Sequence, residues 1–137
     1  MQLKWMCALL FLSGNAVWDL RSRQICLWYT ILFAAEGCGF CAVYGRDAAG
    51  IAVGCVPGLL LLCVSFLTGG MIGCGDGIAF IVLALFLDLT DVALCGAAAF
   101  FLSAFAAGFL LLKKHRGRDA FPFVPFLFAG CLVAACL

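Results

Sequence analysis

Two aspartates beside apolar segments are the residues of this chain best suited to do chemistry. Asp76 lies in the glycine-rich segment 69–77, and Asp19 follows the apolar stretch near the amino terminus. An ionised carboxylate next to hydrocarbon costs at least about 2.5–3.5 kcal/mol, so such a residue is a candidate functional residue by default. The first question is therefore whether Asp19 and Asp76 face each other across one site.

Two close carboxyl groups can hydrolyse a peptide bond. Like charges at short range do not both ionise readily, so one carboxyl keeps its proton. The ionised partner then activates a water as general base, while the protonated one polarises the scissile carbonyl. The chain's one histidine, His115, lies in a basic loop without a nucleophile motif. We interpret it as part of that solvated loop, which leaves the aspartates as the candidate catalytic set.

The glycines around Asp76 have two interpretations. A helical substrate hides its amide bonds, so a protease must hold it extended, and glycine permits close backbone approach. Irregular backbone at membrane depth is tolerated where it lines a wet cavity. The alternative is a flexible loop that carries a solvated acid. A nucleotide-binding loop is disfavoured, because no strand precedes these glycines and their spacing does not fit the fingerprint.

The composition predicts a membrane protein. Of the 137 residues, 67% are hydrophobic and 11% are charged, whereas soluble domains are about half apolar and about a quarter charged. We therefore expect a single polytopic membrane domain over residues 1–137, in contact with membrane lipid. The net charge of +1 gives no argument for a nucleic-acid partner.

The ten cysteines do not form a pattern typical of a metal or redox site. Most are scattered through apolar runs, where cysteine serves as a small hydrophobic residue. Cys38 and Cys41 have CxxC spacing, but they lie within an apolar run with no second pair and no histidine nearby. We expect these cysteines to pack in the fold, with no metal and no cofactor.

Apolar runs separated by short breaks predict an all-α fold of about six transmembrane helices. A helix needs about 20 residues to cross the hydrocarbon core. The candidate spans are 3–19, 26–45, 50–68, 73–89, 92–112 and 121–137. The breaks are short, so consecutive helices should be antiparallel. Residues 1–16 also resemble a secretory signal peptide, but we expect an uncleaved first helix because the topology is consistent with it.

The basic residues predict the orientation. Alternate loops place six of the eight basic residues on one side: Arg21, Arg23, Lys113, Lys114, Arg116 and Arg118. By the positive-inside rule that side is cytoplasmic, and both chain ends lie outside. The segment 69–77 also falls on the cytoplasmic side. The sequence therefore places Asp19 and Asp76 at similar depth near the same membrane face.

Three segments of the chain resemble the type IV prepilin peptidases, a family of GxGD-type membrane aspartyl proteases. Residues 73–76, Gly-Cys-Gly-Asp, match the GxGD motif of that family. Residues 19–25 are similar to its first motif, an aspartate at a helix end followed by basic residues and an isoleucine. Residues 121–130, with Pro122 and Pro125, are similar to the segment that opens its last helix. The resemblance covers essentially the whole chain.

The resemblance implies a function and a site. Asp19 and Asp76 would be the catalytic pair, and the residues that shape the motifs or position substrate would be Gly73, Gly75, Gly77, Pro122 and Pro125. The substrate would be a prepilin or pseudopilin whose leader is cut at the cytoplasmic face of the bacterial inner membrane. The cut would fall between a glycine and the hydrophobic helix of the mature subunit.

The resemblance also bears on whether this chain has the second activity of the family, methylation. Bifunctional members carry a cytoplasmic segment with paired CxxC motifs and methylate the new amino terminus, and no stretch here is long or polar enough to hold it. We therefore expect peptidase activity alone, as in the small peptidases of tight-adherence (Flp) pilus systems. Two departures bear on efficiency and substrate preference. Cys26 and Leu27 replace a proline and a polar residue, and Ile78 replaces a common lysine.

Two other functions stay open from the sequence. One is a small transporter or channel subunit with Glu36 as its coupling acid. Small residues flank Glu36, so we expect its side chain to face the bundle interior. The other is a membrane assembly component that kept the fold and lost the activity. Homo-oligomerisation is open in each case. Asp88 and Asp91 are expected in a solvated outer connection.

Overall fold

The computed structural model describes residues 2–22, 24–69, 73–112 and 122–137, and every regular element in these ranges is an α-helix. The helices are α1 (Gln2–Ser22), α2 (Leu27–Val43), α3 (Ala48–Leu67), α4 (Cys74–Phe86), α5 (Leu89–Leu112) and α6 (Val124–Cys136). Each predicted apolar span therefore contains one helix, and the all-α prediction is confirmed for the described residues. The predicted basic loop with His115 lies outside them.

Two of these helices, α3 and α5, are long and apolar enough to cross a membrane. Large apolar side chains on both point outward, among them Phe66, Phe101 and Phe105. Exposed apolar surface of this kind is typical of a membrane contact. The helices α2, α4 and α6 are also apolar but shorter. A membrane protein is thus supported, while crossing by six helices stays a prediction.

Helix α4 lies at the centre of the bundle. Most of its residues are buried, and it contacts α1, α2, α3 and α5. Glycines on three neighbours allow this close approach. A Cβ added at Gly37 would lie 2.8 Å from the Leu85 side chain, and one at Gly96 would lie 2.8 Å from the Phe80 ring. At Gly58 a Cβ would lie 2.7 Å from the carbonyl oxygen of Gly77. Small residues at helix crossings are how membrane helices gain van der Waals contact.

Helix α6 closes the bundle between α1 and α5. It crosses α5 closely at Gly130, where an added Cβ would lie 2.6 Å from the carbonyl oxygen of Cys95. Its buried residues include Val124, Leu127 and Cys131. The first turn of α6 is thereby held beside the last turns of α1. This contact positions the candidate site.

Four charged side chains form an ion-pair network at one end of the bundle. Lys4 Nζ lies 2.7 Å from a carboxylate oxygen of Asp91 and 3.3 Å from one of Asp88, and Arg46 lies 2.7 Å from Asp88. The Arg46 guanidinium also donates to the backbone carbonyls of Ala84, Leu85 and Leu87. Asp88 is exposed, as expected for a solvated connection, while Asp91 is half-buried, and both also form ion pairs that the sequence did not predict. Helix α5 begins at Leu89, earlier than the predicted 92, and a carboxylate in a first turn is favoured by the helix dipole.

The expectation that Glu36 faces the bundle interior is wrong. Its side chain is exposed on the outside of α2, whose buried residues are Thr30, Phe33 and Gly37. The small residue that contacts α4 is Gly37, and the next position back is rotated away from α4 by about 100°. The small residues that flank Glu36 correctly indicated a close helix contact, but they did not indicate which residue makes it.

Candidate active site

Asp19 lies near the carboxyl end of α1 and is buried. Its Oδ2 accepts a hydrogen bond from the backbone N–H of Val124, at 3.3 Å. Val124 is the first residue of α6, and the preceding residue, Phe123, has no side-chain cap for this helix. Unpaired N–H groups at a helix start need acceptors from elsewhere. Asp19 therefore caps α6 from a segment more than a hundred residues away.

The two prolines of the last motif lie at the start of α6. Pro125 is in the first turn, and Pro122 precedes the helix in an irregular segment. Proline is well suited to a first turn, because its missing N–H has no helical partner there. The prolines thus fix where α6 begins, and this leaves the N–H of Val124 to meet Asp19. Their predicted part in positioning substrate stays a prediction.

Asp76 lies in the first turn of α4 and is partly buried. Its backbone N–H donates to the carbonyl of Gly73 at 3.1 Å. The amino end of a helix carries partial positive charge, which favours a carboxylate in its first turn by about 0.3–1 kcal/mol. The position therefore suits an acid locally, before any chemistry is considered.

The structure brings the segments that carry Asp19 and Asp76 together. The two carboxyl groups are close enough to interact electrostatically. Ile25, which ends the first motif, contacts Gly75, the residue before Asp76. Among the described residues, neither carboxylate forms an ion pair with a lysine or an arginine. Two carboxyl groups are thus held near each other, one in the first turn of α4 and one against the first N–H of α6.

The three motif glycines have different surroundings. A Cβ at Gly75 would lie 2.6 Å from Cδ1 of Ile25, and one at Gly77 would lie 2.7 Å from the Leu62 side chain. Either contact is closer than packed atoms allow. A Cβ at Gly73 would meet nothing nearer than Oδ2 of Asp76, at 3.5 Å, which is an ordinary contact. Gly77 is therefore required by packing, because the backbone oxygen of Gly58 would also lie 2.9 Å from the added Cβ. A side chain at Gly75 would require Ile25 to shift, and one at Gly73 would not displace a neighbour.

Two polar residues near the site were missed in the sequence. Cys74, the variable position of the GxGD motif, has its sulfur 3.1 Å from the hydroxyl of Ser65, which ties the start of α4 to the end of α3. Asn15 is fully buried on α1, one helical turn before Asp19. A spacing of four residues places both side chains on the same helix face. That spacing is the signal that would have indicated Asn15.

The described residues hold no group of three or more histidine, cysteine or acidic side chains arranged to bind a metal ion. Of the CxxC pair, Cys38 is exposed, while Cys41 donates through its thiol to the backbone carbonyl of Leu85 at 3.1 Å. Cys41 therefore contributes to the contact between α2 and α4. At the end of the bundle where α1 ends and α4 begins, the described residues offer the chemistry of two carboxyl groups, those of Asp19 and Asp76.

No protein-family model matches the chain, and no curated protein or solved structure is significantly similar to it.

Proposed function

We propose that this chain is a membrane aspartyl endopeptidase that cleaves the leader peptide of type IV prepilin-like or pseudopilin proteins. One observation carries the proposal. Asp19 and Asp76, far apart in sequence, lie on helices that bring them to the same end of the bundle, and no cation of the described residues pairs with them. Pairs of carboxyl groups that perturb each other's pKa values are typical of functional sites. The three family-like segments point to the same pair.

The proposed reaction uses an activated water. One carboxylate of the pair removes a proton from the water, whose oxygen attacks the scissile carbonyl. The protonated partner donates its hydrogen bond to that carbonyl oxygen and later supplies the proton for the leaving amine. The backbone N–H of Val124 at the start of α6 holds Asp19 in place, and Asp76 lies in the first turn of α4, so little reorganisation is needed as charge develops.

The proposed setting is the bacterial inner membrane, with the aspartates near the cytoplasmic face and the amino terminus outside. The arrangement of the helices supports this. Lys4, Arg46, Asp88 and Asp91, which the loop alternation places on the outer side, meet at one end of the bundle. The aspartates lie at the other end. Helix α4 has 13 residues, about 20 Å in length, so its first turn would lie below the membrane surface in a proposed water-accessible recess.

A co-expression assay tests the proposal. The full chain is produced with epitope-tagged Flp-type prepilins, whose short polar leaders end in glycine before a hydrophobic helix. We expect a leader-sized mobility shift with the unaltered chain and none with Asp19→Asn or Asp76→Asn. Asp47→Asn is the matched control, since Asp47 is an exposed acid at the opposite end of the bundle without a side-chain capping bond. Undiminished processing by either Asp19→Asn or Asp76→Asn would refute the proposal.

The two alternatives have less support. A transporter that uses Glu36 as its coupling acid needs that acid inside the bundle, and the side chain is exposed. An inactive assembly component would share every structural feature described above. The cleavage assay separates it from the peptidase, because only the peptidase shortens the prepilin.

A further inference from the structure

The side-chain oxygen of Asn15 is the buried polar atom that the fold leaves without a partner. Asn15 is fully buried, and its Oδ1 meets no hydrogen-bond donor among the described residues. Its amide nitrogen donates to the backbone carbonyl of Phe11, at 3.4 Å. That bond fixes which end of the amide is the oxygen, because a flipped side chain would place two acceptors together. A buried acceptor without a donor is unfavourable and calls for an explanation.

Asn15 and Asp19 are neighbours on one face of α1. Residues four apart on a helix have Cβ atoms about 5–6 Å from each other, and both of these side chains are buried. The carboxyl group of Asp19 has two oxygens, and Oδ2 already accepts the N–H of Val124. Its other oxygen is the polar group one turn from the unpartnered oxygen of Asn15.

These surroundings match a neutral carboxyl group better than a charged one. A protonated carboxyl has one acceptor oxygen and one O–H donor, whereas a carboxylate has acceptors alone. The fold supplies one donor, the N–H of Val124, and one acceptor, Oδ1 of Asn15. An ionised Asp19 would leave two buried acceptors one helical turn apart on α1. A proton on Asp19 satisfies both groups.

We propose that Asn15 is a positioning residue whose Oδ1 accepts the hydrogen bond of the protonated Asp19 carboxyl, which makes Asp19 the acid and Asp76 the base of the pair. The proposal rests on the proposed peptidase function for its catalytic meaning. The hydrogen bond itself does not depend on that function. Asn15 touches no reacting atom and acts through Asp19.

Few other groups bear on Asp19 from the helices around α1. Helix α4 contributes Asp76, whose carboxyl group is close enough to interact electrostatically with Asp19. Helix α6 contributes its backbone N–H groups and, of titratable side chains, only Cys131 and Cys136. The acid of α2, Glu36, interacts instead with Cys7 and Tyr29, further along the bundle. Among the described residues, the groups that bear on the proposed proton are thus Asp76, the start of α6 and Asn15.

The first experiment measures catalysis in purified full-length protein with a tagged prepilin that the unaltered chain cleaves. For Asn15→Leu we expect a melting temperature a few degrees below that of the unaltered chain, because the buried O–H of Asp19 loses its acceptor. We expect kcat to fall about tenfold to a hundredfold with KM unchanged. The alkaline limb of the pH–rate profile should move to lower pH by about one unit, because a bond to the protonated form is lost.

Thr30→Val is the matched control. Thr30 is a buried polar residue of α2 that bonds its own helix at the carbonyl of Cys26, and its replacement should leave the alkaline limb in place. Asn15→Ala removes the same oxygen without added bulk and replaces Asn15→Leu if that variant does not fold. An unshifted alkaline limb in both Asn15 variants, or a fall in kcat by one factor at every pH, would overturn the proposal.

A second experiment needs no activity and separates failure of this proposal from failure of the peptidase function. Infrared difference spectra across a pH titration record the C=O band of protonated carboxyl groups. We expect one such band to disappear in Asp19→Asn and to move to higher frequency in Asn15→Leu, since a carboxyl O–H without an acceptor has a stiffer C=O bond. A band that is unchanged in Asn15→Leu would overturn the proposal even if the prepilin is cleaved.

Discussion

The aspartates at the two ends of this helical bundle have opposite electrostatic surroundings. At one end Asp88 and Asp91 are paired with Lys4 and Arg46, so that the charges of the ion-pair network cancel. At the other end Asp19 and Asp76 face each other, and no lysine or arginine of the described residues pairs with them. The described residues therefore hold one end of the bundle together by ion pairs and bring two carboxyl groups together at the other end, where we propose the cleavage reaction.

Helix termini take the place of cations at the aspartate end. Asp76 lies in the first turn of α4, and Asp19 accepts the first N–H of α6. Partial positive charge from backbone N–H groups moderates the repulsion between the acids without quenching either of them. A lysine would instead hold both acids ionised, and the pair would lose its proton donor. This arrangement would let the aspartate end fold while it keeps the proton donor that the proposed reaction needs.

The largest contrast between the two ends should appear when one acid of each is neutralised. Asp76→Asn should lower the rate of prepilin cleavage by more than about a thousandfold, with no loss of thermal stability, because the charge removed is partly buried and forms no ion pair among the described residues. Asp88→Asn should keep the cleavage rate and lose at most about 1 kcal/mol of stability, since this side chain is 62% exposed. Cleavage kinetics and thermal melts of both variants provide the check. A destabilised but active Asp76→Asn would reverse the assignment of the two ends.

Removal of Arg46 should produce the largest loss of stability at the ion-pair end. Its guanidinium, 14% exposed, donates to the backbone carbonyls at the end of α4 and to Asp88. Arg46→Ala removes this donor from the carbonyls of Ala84 and Leu87, while the carbonyl of Leu85 keeps the thiol of Cys41. We expect a loss of about 2–4 kcal/mol of stability. Arg46→Lys keeps the charge but not the planar guanidinium with its several N–H donors, so the loss of stability should be intermediate. Denaturant unfolding measures both variants. Equal stability of Arg46→Lys and the unaltered chain would show that charge alone matters there.

The motif glycines give a contrast within the aspartate end itself. Gly75→Ala and Gly77→Ala each place a methyl group within 3 Å of neighbouring atoms, and we expect a loss of about 1–3 kcal/mol together with reduced cleavage. Gly73→Ala has the space for a methyl group and no positive φ. It should change stability by less than about 0.5 kcal/mol and keep the cleavage activity. Loss of activity in a stable Gly73→Ala would assign this glycine to substrate contact, as the family resemblance implies.

The sequence predicted which segments are helices far better than how each helix is rotated. Apolar runs broken by glycine and charge are sufficient to locate six helices. These helices are apolar nearly all round, so no amphipathic stripe marks the face that contacts a neighbour. Glu36 was therefore placed inside, although Gly37 makes the contact. For the same reason the partner of Gly75, Ile25, was beyond prediction. Asp19 and Asp76 could be identified because a charged residue in an apolar segment is visible in the sequence, whereas the face that a helix turns toward its neighbours is not.

The smallest effect is expected at Glu36, which belongs to neither end. It lies in the middle of α2 with its side chain exposed, and its charge interacts with Cys7 and Tyr29 of the neighbouring surface. Glu36→Gln keeps the shape and removes the charge, so prepilin cleavage should stay within about twofold and stability within about 0.5 kcal/mol. Gly37→Ala is the matched comparison, because its added methyl group would lie 2.8 Å from Leu85 of α4 and should destabilise the fold. If Glu36→Gln abolished the activity of the protein while Asp19→Asn preserved it, Glu36 would be the functional acid. The bundle would then be a transporter whose aspartate end merely caps two helices.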